Sequence, residues 1–232
     1  MKKILLFGGG TFHDHEAICP ILRDYLRTDG NFTVDYVTED YEAFHAERLA
    51  PYDAIVLFHT GGQLTLEAKR GLVEGVSAGK GFLGIHAAAD SFSESPEYRA
   101  MLGGNFRAHP FVREYIVSLA DTTHPVTQGM TGYAAKDWEK WPVYEYKVTD
   151  EQYLLDYDDR VNVLATTLFR GQLWPVAWSK IWGRGRVCYL ALGHDAEACR
   201  NPFFREFVLR ATRWIADPEG ETKPASDPHF AI

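Results

Sequence analysis

The chain has 232 residues, of which 46% are hydrophobic and 14% aromatic, enough for one sizeable buried core. Its formal net charge is -8, and it has no Lys- or Arg-rich block, so we do not expect nucleic acid as a partner. The three cysteines form no CxxC pair, which argues against a disulfide scaffold and a thiolate metal site. No apolar stretch approaches the roughly 20 residues that cross a bilayer. We therefore expect a cytoplasmic protein without membrane contact.

Short apolar runs indicate strands that are buried on both faces of a parallel sheet. These runs cover residues 4–7, 32–37, 54–58, 82–85 and 187–192. Helical patterns lie between some of them: one begins at Thr65 and ends at Gly79, and another begins at Asn201-Pro202. Parallel strands need a crossover between them, so this alternation predicts an α/β fold with a doubly wound, mostly parallel sheet.

The pattern changes between about residues 111 and 181, where strand-like stretches alternate with turn-rich joints. The stretches cover residues 112–119, 143–148, 161–167 and 175–181. No linker separates them from the rest, so we interpret them as antiparallel additions to the same domain. The prediction is one domain over residues 1–217, followed by a loosely ordered tail at 218–232 that contains three prolines. The oligomeric state stays open, with a homo-oligomer as one option.

Histidine follows four of the predicted strands. Ligand sites of open α/β sheets form at the carboxyl ends of the strands, so these imidazoles should meet at one edge. Apolar side chains would fill such positions at a lower desolvation penalty, which favours a functional cluster over packing. The histidines are His13 and His15 after the first strand, His59 after the third, His86 after the fourth and His194 after the last, with His109 in a nearby glycine-bounded loop as a further candidate.

Several segments share a pattern with one known family. They are GIHAAAD at 84–90, LGGNF at 102–106 followed by His109-Pro110, PVAW at 175–178, and GRVCY at 185–189 leading to LGH at 192–194. Together and in order they resemble the ThuA-like (trehalose utilisation) family, within the class I glutamine amidotransferase-like superfamily. The resemblance runs in register from residue 3 to about residue 216, and it implies that superfamily's flavodoxin-like α/β fold.

The resemblance also implies which chemistry is absent. True class I amidotransferases present a cysteine at the elbow between a strand and a helix, whereas the corresponding position here resembles His86. His194-Asp195-Ala196-Glu197 takes the place of the histidine and glutamate that follow the last strand. An imidazole cannot form the thioester that glutamine hydrolysis requires, so we expect no amidotransferase activity.

What the family resemblance implies instead is an enzyme of sugar catabolism that acts on a disaccharide or glucoside, in its 3-keto form. Clustered imidazoles and carboxylates suit histidine- or metal-assisted proton transfer, leading to isomerisation, epimerisation or elimination. The alternative is a non-catalytic sugar-binding or regulatory module on the same fold. Such a module needs aromatic platforms more than titratable groups, so the enzyme is the leading hypothesis.

Each candidate residue receives a role in this hypothesis. Glu145 is a candidate because residues 143–146 resemble the Asp-Glu-x-Tyr segment of the family. The expected catalytic residues are His86, His194, Glu145 and Asp90, and the expected substrate contacts are His13, His59, Trp178 and Trp138. We also expect a divalent metal, with zinc as the first choice, held by three of His15, His86, His109 and His194.

A nicotinamide cofactor is not expected, although Gly8-Gly9-Gly10 follows the first strand. The dinucleotide fingerprint needs a glycine at position 13, where the bulky His13 would crowd the pyrophosphate. The prediction therefore includes neither NAD nor a flavin.

Overall fold

The structure, a computed structural model, describes residues 1–132 and 144–217. The strands are β1 (Lys2–Gly10), β2 (Phe32–Thr38), β3 (Ala54–Thr60), β4 (Gly81–Ile85), β5 (Gly104–Ala108), β6 (Arg113–Leu119), β7 (Glu145–Asp150), β8 (Leu154–Tyr157), β9 (Asn162–Phe169), β10 (Gln172–Trp182) and β11 (Gly185–Leu190). The helices are α1 (His15–Thr28), α2 (Ala46–Leu49), α3 (Leu66–Ser77), α4 (Pro96–Leu102), α5 (Ala196–Cys199) and α6 (Pro202–Ala216). Trp138 and the predicted tail at 218–232 lie outside the described residues.

Nine strands form one sheet in the order β2-β1-β3-β4-β11-β10-β9-β6-β7. The strands from β2 to β11 in this order are parallel, and those from β10 to β7 are antiparallel. Every residue of β3 and β4 is buried, which is why these strands have continuous apolar sequences instead of alternating ones. The mixed α/β class and the antiparallel additions are confirmed.

Side-chain caps at helix N-termini stabilise the ends of the loops that connect the strands to the helices. Thr65 and Asn201 cap α3 and α6 as predicted, accepting hydrogen bonds from the backbone N–H groups one turn into each helix. Asp14 caps α1 and Asp195 caps α5 in the same way. Each of these two aspartates directly follows a histidine of the predicted cluster, so the caps also fix where those histidines leave the sheet.

The antiparallel pair of β5 and β8 forms a separate small sheet that the sequence pattern did not predict. Both strands are short and partly exposed, so neither has the apolar run on which the prediction relied. The pairing brings His109, which follows β5, beside Tyr153, which precedes β8, with ring centroids 5.9 Å apart.

Strand β7 ends beside the loop that follows β11, although it is the last strand in the order of the sheet. The side-chain amide of Asn201 donates to the carbonyl of Lys147, and the backbone N–H of Gly193 donates to Asp150 Oδ2 at 2.6 Å. β7 runs antiparallel to its neighbour β6 but in the same direction as the parallel strands, so its carboxyl end lies at the same edge of the sheet as theirs. Among the described residues, no helix is long and apolar enough to span a membrane.

Trp178, predicted as a platform for sugar, belongs to the core instead. Its side chain is fully buried, its indole N–H donates to the carbonyl of Leu102 at 2.8 Å, and its ring lies 4.3 Å from that of Tyr189. Buried on every side, the ring has no face left for a ligand, so the predicted substrate contact is wrong.

Replacing Trp178 with Phe should lower the free energy of unfolding by about 2–3 kcal/mol, because the smaller ring leaves a cavity and an unpaired carbonyl. Urea denaturation checks the value. The half-buried Trp182, whose indole N–H donates to the carbonyl of Val73 at 3.2 Å, provides the matched Trp182→Phe control with a smaller expected loss. A Trp178→Phe protein within about 0.5 kcal/mol of the wild type would contradict the packing role.

Candidate functional site

His86 is the first residue after β4 and lies at the centre of the site. Its φ angle of 45° is left-handed, a strained conformation for a residue with a side chain. The ring is fully buried, and its Nδ1 lies 2.7 Å from the carbonyl oxygen of Ala191, to which it donates. Since Nδ1 is the donor to Ala191, Nε2 is the ring nitrogen of His86 that faces the site.

His13 approaches His86 from the loop after β1. The two rings are nearly perpendicular, with centroids 4.7 Å apart. Nδ1 of His13 lies 3.2 Å from the carbonyl oxygen of His194, so this ring also keeps its proton on Nδ1 and its lone pair on Nε2. Burial, reinforced by His86, lowers the pKa of His13 to about 4, and the ring is therefore neutral at pH 7.

Glu151 follows β7, and its carboxylate faces the imidazoles of His86 and His109. One carboxylate oxygen lies 3.3 Å from His86 Nε2, and the other lies 3.8 Å from His109 Nε2. Burial opposes its ionisation, but the nearby histidines outweigh this and lower the pKa of the carboxyl group. Donor atoms of His13, His86 and Glu151 all lie within 4.8 Å of one another, and among the described residues this is the group that could hold a metal ion.

His194 and Asp150 form a dyad beside this group. His194 Nδ1 lies 2.6 Å from Asp150 Oδ1, and its Nε2 lies 3.1 Å from Asp195 Oδ2. Asp150 is buried and also accepts hydrogen bonds from the backbone N–H groups of Gly193, His194 and Glu151. Burial works against protonation of His194, but its contact with Asp150 outweighs that and raises its pKa.

Three further side chains border the site. The buried ring of Tyr153 lies 4.0 Å from the ring of His86, and its hydroxyl lies 3.5 Å from His13 Nε2. Burial raises the pKa of Tyr153 and also that of Asp90, a partly buried residue close enough to influence Tyr153. His109 is partly exposed at the rim, where its Nδ1 faces the carbonyl of Pro110.

The structure brings together the predicted residues His13, His86 and His194, with Asp90 and His109 at the border. It does not place His15 with them, since this residue begins α1 and the candidate metal group contains His13 in its stead. His194 also differs from the prediction, because both of its nitrogens face carboxylates.

Glu145 is wrong as a site residue. It is exposed at the start of β7 and pairs with Ser118, six residues and so about 20 Å of extended chain away from Glu151. The family's Asp-Glu-x-Tyr pattern is met in full by Asp150-Glu151-Gln152-Tyr153. The sequence contained this signal, and the placement of the motif's glutamate at Glu145 was six residues too early.

His59 is wrong as a substrate contact, because it is fully buried and both ring nitrogens have partners in the protein. Nδ1 lies 3.2 Å from Ser91 Oγ, and Nε2 lies 3.0 Å from the hydroxyl of Tyr41. Burial lowers its pKa to about 4, while Glu39 opposes the shift and His15 adds to it. His59 is therefore a neutral core residue at pH 7.

His59 should make the protein sensitive to acid. Its pKa is near 6.5 in the unfolded chain and about 4 in the folded one, so between these pH values only the unfolded state takes up the proton. Proton uptake by His59 in the unfolded chain should therefore reduce the free energy of unfolding by about 3 kcal/mol as the pH falls from about 6.5 to about 4.

Urea denaturation of the wild type and of His59→Asn at pH 7 and pH 4 checks this prediction. The variant should be less stable at pH 7, because Asn does not fill the buried space of the ring and cannot keep both of its contacts, with Tyr41 and with Ser91. It should lose less stability on acidification. Titration of His13 is common to both proteins and cancels in the difference. Equal losses in the two proteins would show that His59 is not held neutral by burial.

The cysteines offer no nucleophile. All three are buried, and burial raises the pKa of Cys19 to about 12 and also raises those of Cys188 and Cys199. A reactive cysteine needs a lowered pKa and access to substrate. The elbow position after β4 is occupied by His86.

The fold and this histidine-carboxylate site define an α/β domain of the glutamine amidotransferase-like type whose elbow residue is histidine. A model of the trehalose utilisation (ThuA) family matches residues 3–215, and the chain belongs to this family. No curated protein matches the sequence.

Solved structures agree with this assignment at the level of the fold. A protein described as ThuA-like from Parabacteroides merdae is 22% identical with a TM-score of 0.78, over 93% of this chain and 90% of that one. A cytoplasmic protein from Salmonella typhimurium is 19% identical with a TM-score of 0.66, over 93% and 98%. A glutamine amidotransferase from Thermotoga maritima is 13% identical with a TM-score of 0.50, over 82% and 75%.

Proposed function

We propose that this protein is an enzyme of sugar catabolism that moves protons on the 3-keto form of a disaccharide or glucoside. Membership of the trehalose utilisation family supports the substrate class. The observation that carries the chemistry is the His194–Asp150 contact of 2.6 Å, in which a buried carboxylate orients an imidazole at the edge of the site. A purely sugar-binding module would have no need for such a dyad.

His194 is the proposed acid and base for the substrate oxygen. Asp150 accepts the proton on Nδ1, so the ring can exchange a proton with substrate only through Nε2. Asp195, the present neighbour of Nε2, has a half-exposed side chain that can move aside when a sugar enters. The arrangement is the one by which a carboxylate fixes the tautomer of a catalytic histidine.

Asp90 is the proposed base for the carbon next to the ketone. It is partly buried, and burial raises the pKa of its carboxyl group towards the working pH. Asp90 takes the proton from C2 while His194 gives a proton to the oxygen on C3, which produces an enediol.

The fate of the enediol then sets the reaction. Return of the proton to C3, with loss of the C2 hydroxyl proton, isomerises the sugar to its 2-keto form. Return to the other face of C2, with loss of the proton on the C3 oxygen, gives the epimer. Departure of the C1 oxygen with its bonding electron pair gives elimination: the C3 oxygen gives up its proton, which ends on the leaving oxygen, the ketone at C3 re-forms, and a C1=C2 double bond appears.

Exchange of the C2 proton in D₂O, followed by ¹H NMR on a 3-keto disaccharide, tests the shared first step. The wild type should accelerate the exchange, and His194→Gln should reduce the rate by about 10²- to 10⁴-fold. His45, which faces Glu47 and Glu67 instead of the site, gives the matched His45→Gln control with an unchanged rate. Binding without exchange by the wild type would favour the sugar-binding module and contradict the enzyme.

The two aspartates beside His194 should differ in effect. Asp150→Asn should lower the exchange rate by about 10²-fold or more, because an amide no longer fixes the tautomer of the ring. Asp195→Asn keeps the cap of α5 and should stay within about fivefold of the wild type. Equal losses in both variants, measured by the same NMR exchange, would contradict the role assigned to Asp150.

A further inference from the structure

The structure assigns a divalent transition-metal site to His13, His86 and Glu151. This set shares only His86 with the ligands expected from the sequence. The inference stands on the geometry of the described residues and does not depend on the sugar chemistry proposed above.

The tautomers of the two histidines are the first reason. The carbonyls of His194 and Ala191 accept the Nδ1 protons of His13 and His86, so Nε2 is the ring nitrogen of each that faces the site and the one that would bind a metal ion. At His13 this atom also lies 3.5 Å from the hydroxyl of Tyr153. A metal-bound histidine almost always donates its other ring N–H to a carbonyl, a carboxylate or water. The partners that would orient two ligands are therefore already in place.

An unsatisfied buried atom is the second reason. His86 Nε2 is buried and makes no hydrogen bond to the described residues, although a carboxylate oxygen of Glu151 lies only 3.3 Å away. Two acceptors at this separation repel unless a cation or a proton lies between them. Two ligands bound to one tetrahedral ion at about 2.1 Å are themselves about 3.4 Å apart, so the observed separation already fits.

The chemistry of the donors selects the class of ion. Two imidazole nitrogens and one carboxylate suit zinc and its first-row neighbours, whereas Mg²⁺ and Ca²⁺ prefer oxygen alone. Three protein ligands leave a position open, as catalytic sites require. In the proposed reaction, such an ion would polarise the carbonyl of the sugar.

The other nearby histidines do not complete the set. Both nitrogens of His194 face carboxylates, and His109 is at the rim with its Nε2 3.8 Å from the far oxygen of Glu151. A proton shared between His86 and Glu151 is the competing occupant, and it would exclude a metal ion.

Zinc titration followed by isothermal calorimetry, on untagged protein stripped with a chelator, tests the assignment without any sugar. The wild type should bind one Zn²⁺ per chain. Glu151→Gln and His13→Gln should each weaken binding at least about 100-fold, since even the outer partners of metal ligands are worth about 10- to 100-fold. Glu145→Gln and His45→Gln are the matched controls and should bind as the wild type does.

Thermal unfolding of the same proteins guards against variants that fail to fold. Zinc should raise the melting temperature of the wild type and of both controls, and it should not raise that of Glu151→Gln or His13→Gln. Absence of stoichiometric zinc in the wild type, or undiminished binding in both site variants, would overturn the inference. Neither result would decide the proposed function, because the NMR exchange experiment tests that function independently of zinc binding.

Discussion

Two hydrogen bonds from histidine rings to backbone carbonyls determine what this site can do. They run from His86 to Ala191 and from His13 to His194, and both acceptors belong to the segment that leaves β11. Because each bond keeps a proton on Nδ1, Nε2 is the ring nitrogen that each histidine turns to the site; that of His86 lies 3.3 Å from Glu151, and that of His13 lies 3.5 Å from the hydroxyl of Tyr153. If either ring carried its proton on Nε2 instead, the same three side chains would form a hydrogen-bonded network with no affinity for a cation.

The site forms because the parallel strands and the antiparallel strands of the sheet contribute residues to the same edge. The parallel half delivers His13, His86 and His194 to one edge, and the antiparallel half returns to that edge through β7 with Asp150 and Glu151. The glutamine amidotransferase-like fold is known for an elbow cysteine, yet here the elbow residue is His86 and the cysteines are buried. One scaffold therefore places a different chemical group at the same point, which is why function has to be argued from the site.

Much of this could be predicted from the sequence, because strands and the residues that follow them leave local signals. Continuous apolar runs located β3 and β4, and the rule for strand ends gathered His13, His86 and His194. The ring orientations could not be predicted, since they depend on carbonyls 105 and 181 residues away in the chain. For the same reason the burial of His59 and Trp178 was missed: a sequence shows which residue follows a strand but not which side chains surround it.

X-ray anomalous scattering at the zinc edge, from crystals of untagged protein grown with Zn²⁺, would show whether these three side chains bind a metal ion. We expect one strong peak about 2.1 Å from Nε2 of His13, Nε2 of His86 and a carboxylate oxygen of Glu151. A crystal with no peak there, in which His86 Nε2 instead donates a hydrogen bond to Glu151, would contradict this expectation.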